Sequence, residues 1–283
     1  MFRYRSINGS VVAVSLFSLL LSAQPSFPIS PDAFSAIGAG ARACGLGGAF
    51  VGVADDEGAS YWNPAGLAFL ESPALSLTDR VMSIDTNYIV FSGALPISEW
   101  GAFGINLIFH GVDGVRGYDA SAKPTGEGNC GEAMGSMAYA YEVAGLAVGI
   151  GLRGMYQSIS FEGDSSESWG VGLSLGLLYD ITDNLRIGIA VKDRMKVRDL
   201  RDESSYSVET PFSVTSGLYC SFGIGEGHRW GFMFDLEQRR GLPLKAHLGA
   251  ELSLYGGALA LRGGLDDLYL CLLYTSPSPR DRG

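Results

Sequence analysis

The sequence lacks the features that define several large classes of protein. Beyond its first 23 residues it contains no apolar run of about 18 residues or more, which argues against a membrane protein built from helices. Basic residues are also few, with 20 Lys and Arg against 30 Asp and Glu, so the formal net charge is −10. Because phosphate recognition needs a basic surface, we do not expect nucleic-acid binding.

Cysteine is scarce, and its spacing gives no sign of a metal or redox site. The four cysteines are Cys44, Cys130, Cys220 and Cys271, and no two of them form a CxxC pair. An exported chain could oxidise them, but the sequence leaves their pairing open.

No arrangement of residues predicts catalysis or a bound cofactor. Gly45, Gly47 and Gly48 lie close together but lack the GxGxxG spacing of a dinucleotide loop. The acidic run 55–57 lacks the remaining positions of a calcium loop, so it predicts a solvated turn. We therefore expect neither an enzyme, nor a metal site, nor a cofactor.

The chain is rich in glycine, with 40 residues, and in aromatic side chains, which make up 11% of it. This composition favours a barrel of short strands, where small residues fill the interior and aromatic rings lie at the membrane boundaries. Residues 1–23 predict a secretory signal peptide. Arg3 and Arg5 precede the apolar stretch 11–21, and the small residues Ser22 and Ala23 follow it.

Apolar residues alternate with small or polar residues from about residue 73 onward, as side chains do on the two faces of a strand. In the segment 169–179, large residues share one face, and Gly, Ser and one Leu share the other. The segments 146–152, 185–192, 230–237 and 247–254 repeat this pattern. A soluble sandwich would usually expose a charged second face, whereas here that face is mostly Gly, Ala and Ser. The pattern favours a transmembrane β-barrel, with a soluble or surface β-sandwich that binds a ligand as the alternative.

The connections between these strands alternate in length. Short turns are predicted near 97–99, 143–144, 181–184, 223–227 and 256–257, and longer polar loops near 111–130, 161–167 and 192–209. Bacterial outer-membrane barrels have short periplasmic turns and long external loops. We therefore assign residues 71–270 to an all-β, antiparallel barrel of about eleven strands.

Residues 38–70 differ from the strands, and their glycines predict a compact, irregular segment within the N-terminal unit that we assign to residues 24–70. The string Asn-Pro-Ala-Gly at 63–66 is a turn signal, because proline fixes φ and asparagine bonds to its own backbone. The positions that carry the pattern of this segment are Arg42, Gly47, Gly48, Asp55, Asp56, Asn63, Pro64, Ala65 and Gly66.

In order and spacing, these positions resemble the start of FadL-superfamily outer-membrane proteins, and most closely the PorV/PorQ-like branch. The matching strings are GAR at 40–42, GLGGAF at 45–50, ADD at 54–56 and YWNPAGL at 61–67. A weaker similarity covers nearly all of residues 34–268. The resemblance implies a fourteen-stranded barrel whose N-terminal segment is tucked into the lumen as a hatch, with Asn63, Pro64 and Ala65 on the hatch motif.

The resemblance also implies two functions. FadL-type members pass hydrophobic molecules through the barrel, and PorV-type members serve the type IX protein secretion system. We expect transport of hydrophobic small molecules, and a PorV-like role with secreted proteins is the alternative. The expected location is the outer membrane of a Gram-negative-type bacterium, where outer-membrane lipid and the barrel-assembly machinery would be partners.

Charged residues on the second face of the strands are candidates for the lining of the lumen. They are Arg153, Arg186, Asp235, Glu237, His247, Glu251 and Arg262. They would either form a selectivity lining or pair with one another in a filled barrel, because buried charges must be paired. His247 and Glu251 are four positions apart, about 13 Å along a strand, so they do not predict a metal pair.

Residues 271–283 are expected not to belong to the protein. The string CLLYTSPSPRD at 271–281 resembles the translation of an adapter used to prepare sequencing libraries. The alternative is a Ser- and Pro-rich tail without structure. On the adapter interpretation the barrel is incomplete, which would account for about eleven strands where the family has fourteen.

Overall fold

The computed structural model describes residues 34, 37–82, 86–118, 123–161, 164–199 and 208–269. The signal peptide predicted at residues 1–23 and the adapter-like residues 271–283 lie outside the described residues. Within the described ranges, no helix is both long and apolar enough to cross a membrane.

Strands dominate the described part of the chain. They are β1 Ala74–Val81, β2 Thr86–Pro96, β3 Ala102–Tyr118, β4 Pro124–Val143, β5 Leu146–Phe161, β6 Asp164–Thr182, β7 Leu185–Lys192, β8 Lys196–Asp199, β9 Val208–Glu209, β10 Ser213–Gly223, β11 Arg229–Arg239, β12 Lys245–Leu254 and β13 Leu259–Tyr269. The helices are short: α1 Ala41–Gly45, α2 Ala59–Trp62, and 3₁₀ turns at Pro64–Phe69, Ser98–Trp100 and Tyr255–Gly257.

The strands form one antiparallel sheet in which neighbours in the chain are neighbours in space. Eleven of them follow the order β1-β2-β3-β4-β5-β6-β7-β10-β11-β12-β13. The short strand β8 pairs with β6 and β9 beside this path. Among the described residues, β1 and β13 are the two ends of the sheet. This up-and-down order is that of a β-barrel wall, as the sequence predicts.

The outer face of the sheet is apolar. On β6, Val171, Leu173 and Leu175 are 48–55% exposed, whereas Gly172 and Ser174 between them are buried. This register is the one predicted from the alternation in the sequence. A soluble sandwich would bury its apolar face, so the exposed face corresponds to the lipid-facing surface of a membrane barrel.

The height of this apolar band matches a bilayer. Outward positions on β5 are apolar or glycine from Leu146 to Tyr156, and Ser158 follows. That span measures about 34 Å along the strand, which at a barrel tilt of about 40° covers about 26 Å, close to the ~25 Å band of outer-membrane barrels. Tyr156 pairs with Trp169 at one border of the band, and Tyr179 lies at the other.

The connections differ from the prediction at one end of the sheet. Short turns do join β4 to β5 and β6 to β7. The predicted loop 111–130, however, is largely strand, because β3 continues to Tyr118 and β4 begins at Pro124. The predicted loop 161–167 likewise lies almost wholly within β5 and β6. These residues are polar because the long hairpins extend past the apolar band, where much of their surface meets water.

Residues 37–70, here named the inner segment, pack against the inner face of the sheet. Leu46, Phe50 and Leu67 are fully buried in an apolar cluster that also contains wall residues such as Leu178. A second cluster joins Tyr61 to residues of β2–β5. The inner segment therefore shares its core with the strands instead of forming one of its own.

Candidate functional site

Asn63 joins the inner segment to the wall. Its side-chain amide donates to the carbonyl oxygens of Val51 and Leu177 at 3.0 and 3.2 Å. Its side-chain oxygen accepts from the backbone N–H of Ala65 at 3.2 Å, which caps the 3₁₀ turn Pro64–Phe69. The side chain is fully buried, so these three hydrogen bonds replace those that it would make with water.

The wall residues opposite this turn are glycines for a steric reason. A Cβ added at Gly149 would collide with the backbone of Pro64 and Ala65, and one at Gly176 would collide with Asn63. The same relation to inner-segment atoms recurs on other inward-facing glycines, namely Gly104, Gly188, Gly217, Gly249 and Gly264. Backbone and side-chain atoms of the inner segment therefore occupy the space that the glycine-rich face leaves.

Asp235 on β11 holds a second part of the inner segment. Its carboxylate accepts hydrogen bonds from the backbone N–H groups of Phe50 and Val51 at 2.8 and 2.7 Å. Asp235 is fully buried, and the two amides lie in a turn. One carboxylate thus satisfies two backbone donors that no helix or strand serves.

Arg42 on α1 is the centre of an ion-pair network. Its guanidinium contacts Asp55, lies 3.5 Å from Asp56 and reaches Glu251 on β12 at 3.0 Å. Glu251 also accepts from Arg262 on β13 at 2.6 Å. Burial disfavours the charge on Arg42, but Asp55 and Glu251 together raise its pKa above the ordinary value. Opposite charges therefore hold the inner segment against β12 and β13.

Arg186 contacts the inner segment near the short turns. It pairs with Asp180 at 2.6 Å, donates to the carbonyl of Val53 at 3.3 Å, and its guanidinium lies 4.0 Å from the ring centre of Phe69. The sequence left two roles open for this arginine, an ion pair in a filled barrel or part of a selectivity lining. These contacts favour the ion pair.

Arg153 on β5 lies elsewhere in the interior. It is 6% exposed, and its guanidinium donates to the carbonyl of Asp193, beyond the end of β7, at 2.8 Å. This hydrogen bond therefore lies within the wall side of the interior.

A largely enclosed cavity of about 210 Å³ lies between the inner segment and the wall. Its charged lining residues are Arg80, Lys192, Glu237, Arg239, Lys245, His247 and Asp266. Of these, Glu237 and His247 are candidates from the sequence. Lys192, Arg239 and Lys245 are not among the candidates from the sequence, although the period-two alternation of their strands puts all three on the inner face.

Contacts inside the cavity order its charged groups. The amine of Lys192 lies 4.4 Å from the ring centre of Tyr61. Glu237 accepts from Arg239 at 2.8 Å. The Nδ1 atom of His247 is 2.8 Å from Asp266, and its Nε2 atom is 3.7 Å from Glu237.

The cavity lies on the side of the inner segment toward the end of the sheet where the long hairpins β3–β4 and β5–β6 project. Lys192 ends β7, Arg239 ends β11 and Lys245 begins β12, and each of these strand ends is opposite a short turn. The 3₁₀ turn Pro64–Phe69, which Asn63 caps and which is here called the Asn63 turn, lies elsewhere. It packs against Gly149 near the start of β5 and Gly176 near the end of β6.

A larger apolar hollow of about 590 Å³ lies on the outer face of the sheet. It is lined by Leu218, Phe232, Phe234, Leu248 and Leu265, together with smaller residues of β10–β13. Because these large side chains belong to the exposed apolar band, the hollow is part of the lipid-facing surface and not of the lumen.

Two strings match catalytic or phosphate-binding patterns by spacing alone. Gly172–Gly176 reads GxSxG, and Gly149–Gly154 reads GxGxxG. Both lie in the middle of strands, β6 and β5, whereas the first pattern needs a strand–turn–helix and the second the start of a helix. Neither string forms the site that its pattern would serve.

The described cysteines are free, and the described residues show no metal cluster. Cys44, Cys130 and Cys220 form no disulfide, and Cys271 lies outside the described residues. Within the described ranges, no group of three or more His, Cys, Asp or Glu residues is placed to hold a metal ion.

Comparison with known proteins places the chain by its fold. No family model and no curated protein matches the sequence. The Pseudomonas putida toluene transporter TodX matches with a TM-score of 0.58 and 14% identity, over 80% of this chain and 82% of that one. The monoaromatic hydrocarbon channel CymD matches with a TM-score of 0.55 and 14% identity, over 82% of this chain and 84% of that one.

At this level of identity the two likenesses establish a shared fold. They show that the β-barrel architecture expected from the sequence is shared with these two proteins, and they do not address the PorV/PorQ-like branch. Both solved neighbours are described as a transporter or a channel and not as enzymes.

Proposed function

We propose that the chain is an outer-membrane β-barrel that transports small hydrophobic molecules, with residues 24–70 as a hatch and residues 71–270 as the barrel. The observation that carries the proposal is the inner segment itself, which crosses the interior of a wall whose outer face is an apolar band. The fold shared with hydrocarbon transporters supports the class of cargo.

The hatch role rests on how the inner segment is held. Asn63, Asp235 and Arg42 make polar contacts between this segment and the wall. Four wall side chains add hydrogen bonds to its backbone, namely Arg80, Tyr88, Arg186 and His247. Passage of a solute requires these contacts to loosen, because inner-segment backbone lies directly against wall glycines. Loosening one contact should therefore raise flux while the strands stay paired.

Export to the outer membrane is part of the same proposal. The sequence supplies the signal-peptide pattern at residues 1–23, and the apolar band supplies the surface that lipid would cover. Insertion by the barrel-assembly machinery follows from that location.

The test compares Asn63→Ala with Asn63→Asp. Alanine removes all three side-chain hydrogen bonds, whereas aspartate keeps the acceptor for Ala65 and loses the donors to Val51 and Leu177. We expect toluene flux into proteoliposomes, normalised to folded barrel, to rise for both variants. An Asn129→Ala variant, changed in the protruding part of β4, is the control and should match the wild type. Unchanged flux per barrel with the inner segment detached would contradict the hatch role.

The alternative is a PorV-like role in protein secretion, which the motif resemblance at residues 40–67 favours. A chain with that role should co-purify with secreted proteins from its own host, and its deletion should retain them in the periplasm. Normal secretion after deletion would remove this alternative.

A further inference from the structure

The interior cavity differs in chemistry from what a neutral hydrocarbon would need. Its wall carries four residues with a positive charge and two with a negative charge, besides His247. The excess of positive charge stands inside a chain whose formal net charge is −10. A largely enclosed and positively charged chamber attracts an anion, because charges interact more strongly where water is partly excluded.

The size of the cavity limits the ligand to one small ring. An apolar cavity of about 150 Å³ can hold benzene. The volume here is about 210 Å³, which leaves room for a ring with one compact polar group. Tyr61 and Trp62 line the same space and offer aromatic surface to such a ring.

The cations are placed to meet a carboxylate from several sides. Lys192 ends β7, Arg239 ends β11 and Lys245 begins β12, so three separate strands bring positive charge to one chamber. Glu237 neutralises part of this charge through Arg239 at 2.8 Å. Because the chamber lies toward the end of the sheet where the hairpins β3–β4 and β5–β6 project, a solute arriving from that end would meet it before the Asn63 turn.

We propose that this cavity is a binding site for a compact aromatic carboxylate. The proposal narrows the cargo of the proposed transporter and rests on that function for its role in transport, whereas binding itself does not depend on it. The carboxylate would be held by the lysine and arginine side chains, and the ring by the aromatic wall.

The test measures equilibrium binding of three probes of equal size to the purified, folded protein in detergent: benzoate, benzyl alcohol and benzylammonium. We expect benzoate to bind at least about tenfold more tightly than benzyl alcohol, and benzylammonium to bind the weakest. Equal binding of the three probes, or no binding of benzoate, would overturn the proposal.

Variants assign the binding to this cavity. Lys245→Gln should weaken benzoate binding about tenfold, and Lys245→Arg should restore it. Glu237→Gln should tighten binding, a gain that misfolding does not produce. Arg116→Gln removes a positive charge from an exposed side chain on β3 and should change nothing. A Glu237→Gln variant that binds benzoate no better than the wild type would place the site elsewhere.

Measuring toluene flux and benzoate binding on the same protein tests the carboxylate site and the proposed transport function separately. Toluene flux through a protein that does not bind benzoate would remove the site and leave the transporter. Benzoate binding by a protein that passes neither compound would remove the transport function and leave the site.

Discussion

At the scale of single residues, a few polar side chains hold the inner segment by serving several backbone groups each. Asn63 makes three hydrogen bonds and Asp235 two, and both are fully buried. Removing one partner of such a group exposes the cost of leaving the other unsatisfied, which exceeds the net gain from forming the bond. A substitution at Asn63 or Asp235 should therefore destabilise the protein more than the small number of hydrogen bonds suggests.

Replacing Asp235 tests this sensitivity. In Asp235→Ala, the amides of Phe50 and Val51 lose their acceptor, and we expect a loss of about 2–4 kcal/mol in the free energy of unfolding. Asp235→Asn keeps one acceptor oxygen, so its free energy of unfolding should lie between those of Asp235→Ala and the wild type. Urea unfolding and protease cleavage near residues 50–54 measure the effect. Protection of that turn equal to the wild type would show that the two hydrogen bonds contribute little.

Asp56 should make stability depend on pH in an unusual direction. Burial raises its pKa to about 6, although Arg42 opposes the rise. Because the folded-state pKa lies above the ordinary value of 3.8, the folded protein binds this proton more tightly than the unfolded chain. The stability that the folded protein gains by binding this proton is fully present below about pH 4 and is lost as pH rises through about 6.

We expect Asp56→Asn to remove this dependence. Between pH 4 and 7, the free energy of unfolding of the wild type should fall relative to the variant by about 2–3 kcal/mol at most. Asp183→Asn, in an exposed turn, controls for the loss of a carboxylate. A difference between wild type and Asp56→Asn that stays constant with pH would contradict the assignment.

At the scale of elements, the sequence predicts which face of each strand points outward better than where each strand ends. Alternation on β6 is enough to place Leu173 outward and Gly172 inward, because side chains in a strand have a strict period of two. The ends are predicted less well, since polar residues are equally at home in loops and in strands beyond the membrane. Only pairing between β3 and β4 distinguishes the two.

The candidate site could be predicted only in part. The composition of the inner face is visible in the sequence, and so are the charges that lie on it. Their partners are not, because Arg42 and Glu251 are 209 residues apart, and Phe50 and Asp235 are 185 residues apart. No local pattern encodes such pairs.

The outward register predicts the effect of a charge on β6. Leu173→Arg places a charge on the lipid-facing surface, and we expect it to cost about 2–4 kcal/mol near the middle of the bilayer. Ser158→Arg adds the same side chain to the outer face of β5 above the apolar band, opposite Glu167, and should be tolerated. Folded yield in membranes measures both. A tolerated Leu173→Arg would mean that this face does not meet lipid.

At the scale of the whole molecule, charge and apolar surface are separated. The formal net charge is −10, yet the outer face of β5 and β6 presents a band of large apolar side chains. Patches of that size on a soluble protein would cause association. The two properties coexist only if something apolar covers the band.

This separation predicts how the protein behaves on extraction. We expect it to sediment with membranes after washing at high salt or high pH and to enter solution only with detergent. A monomer that stays soluble without detergent would contradict the membrane barrel and return the ligand-binding sandwich to consideration.

The contact between the inner segment and the wall glycines also has a consequence for the timing of folding. The inner segment precedes the barrel strands in the chain, yet Gly52 lies against Gly217 and Leu46 against Gly264, which follow them by 165 and 218 positions. Contacts between residues so distant in the chain form slowly, because a long loop must close before they stabilise anything. Until then, Phe50 and its neighbours have no apolar cover, so we expect the early chain to depend on a chaperone that binds this segment.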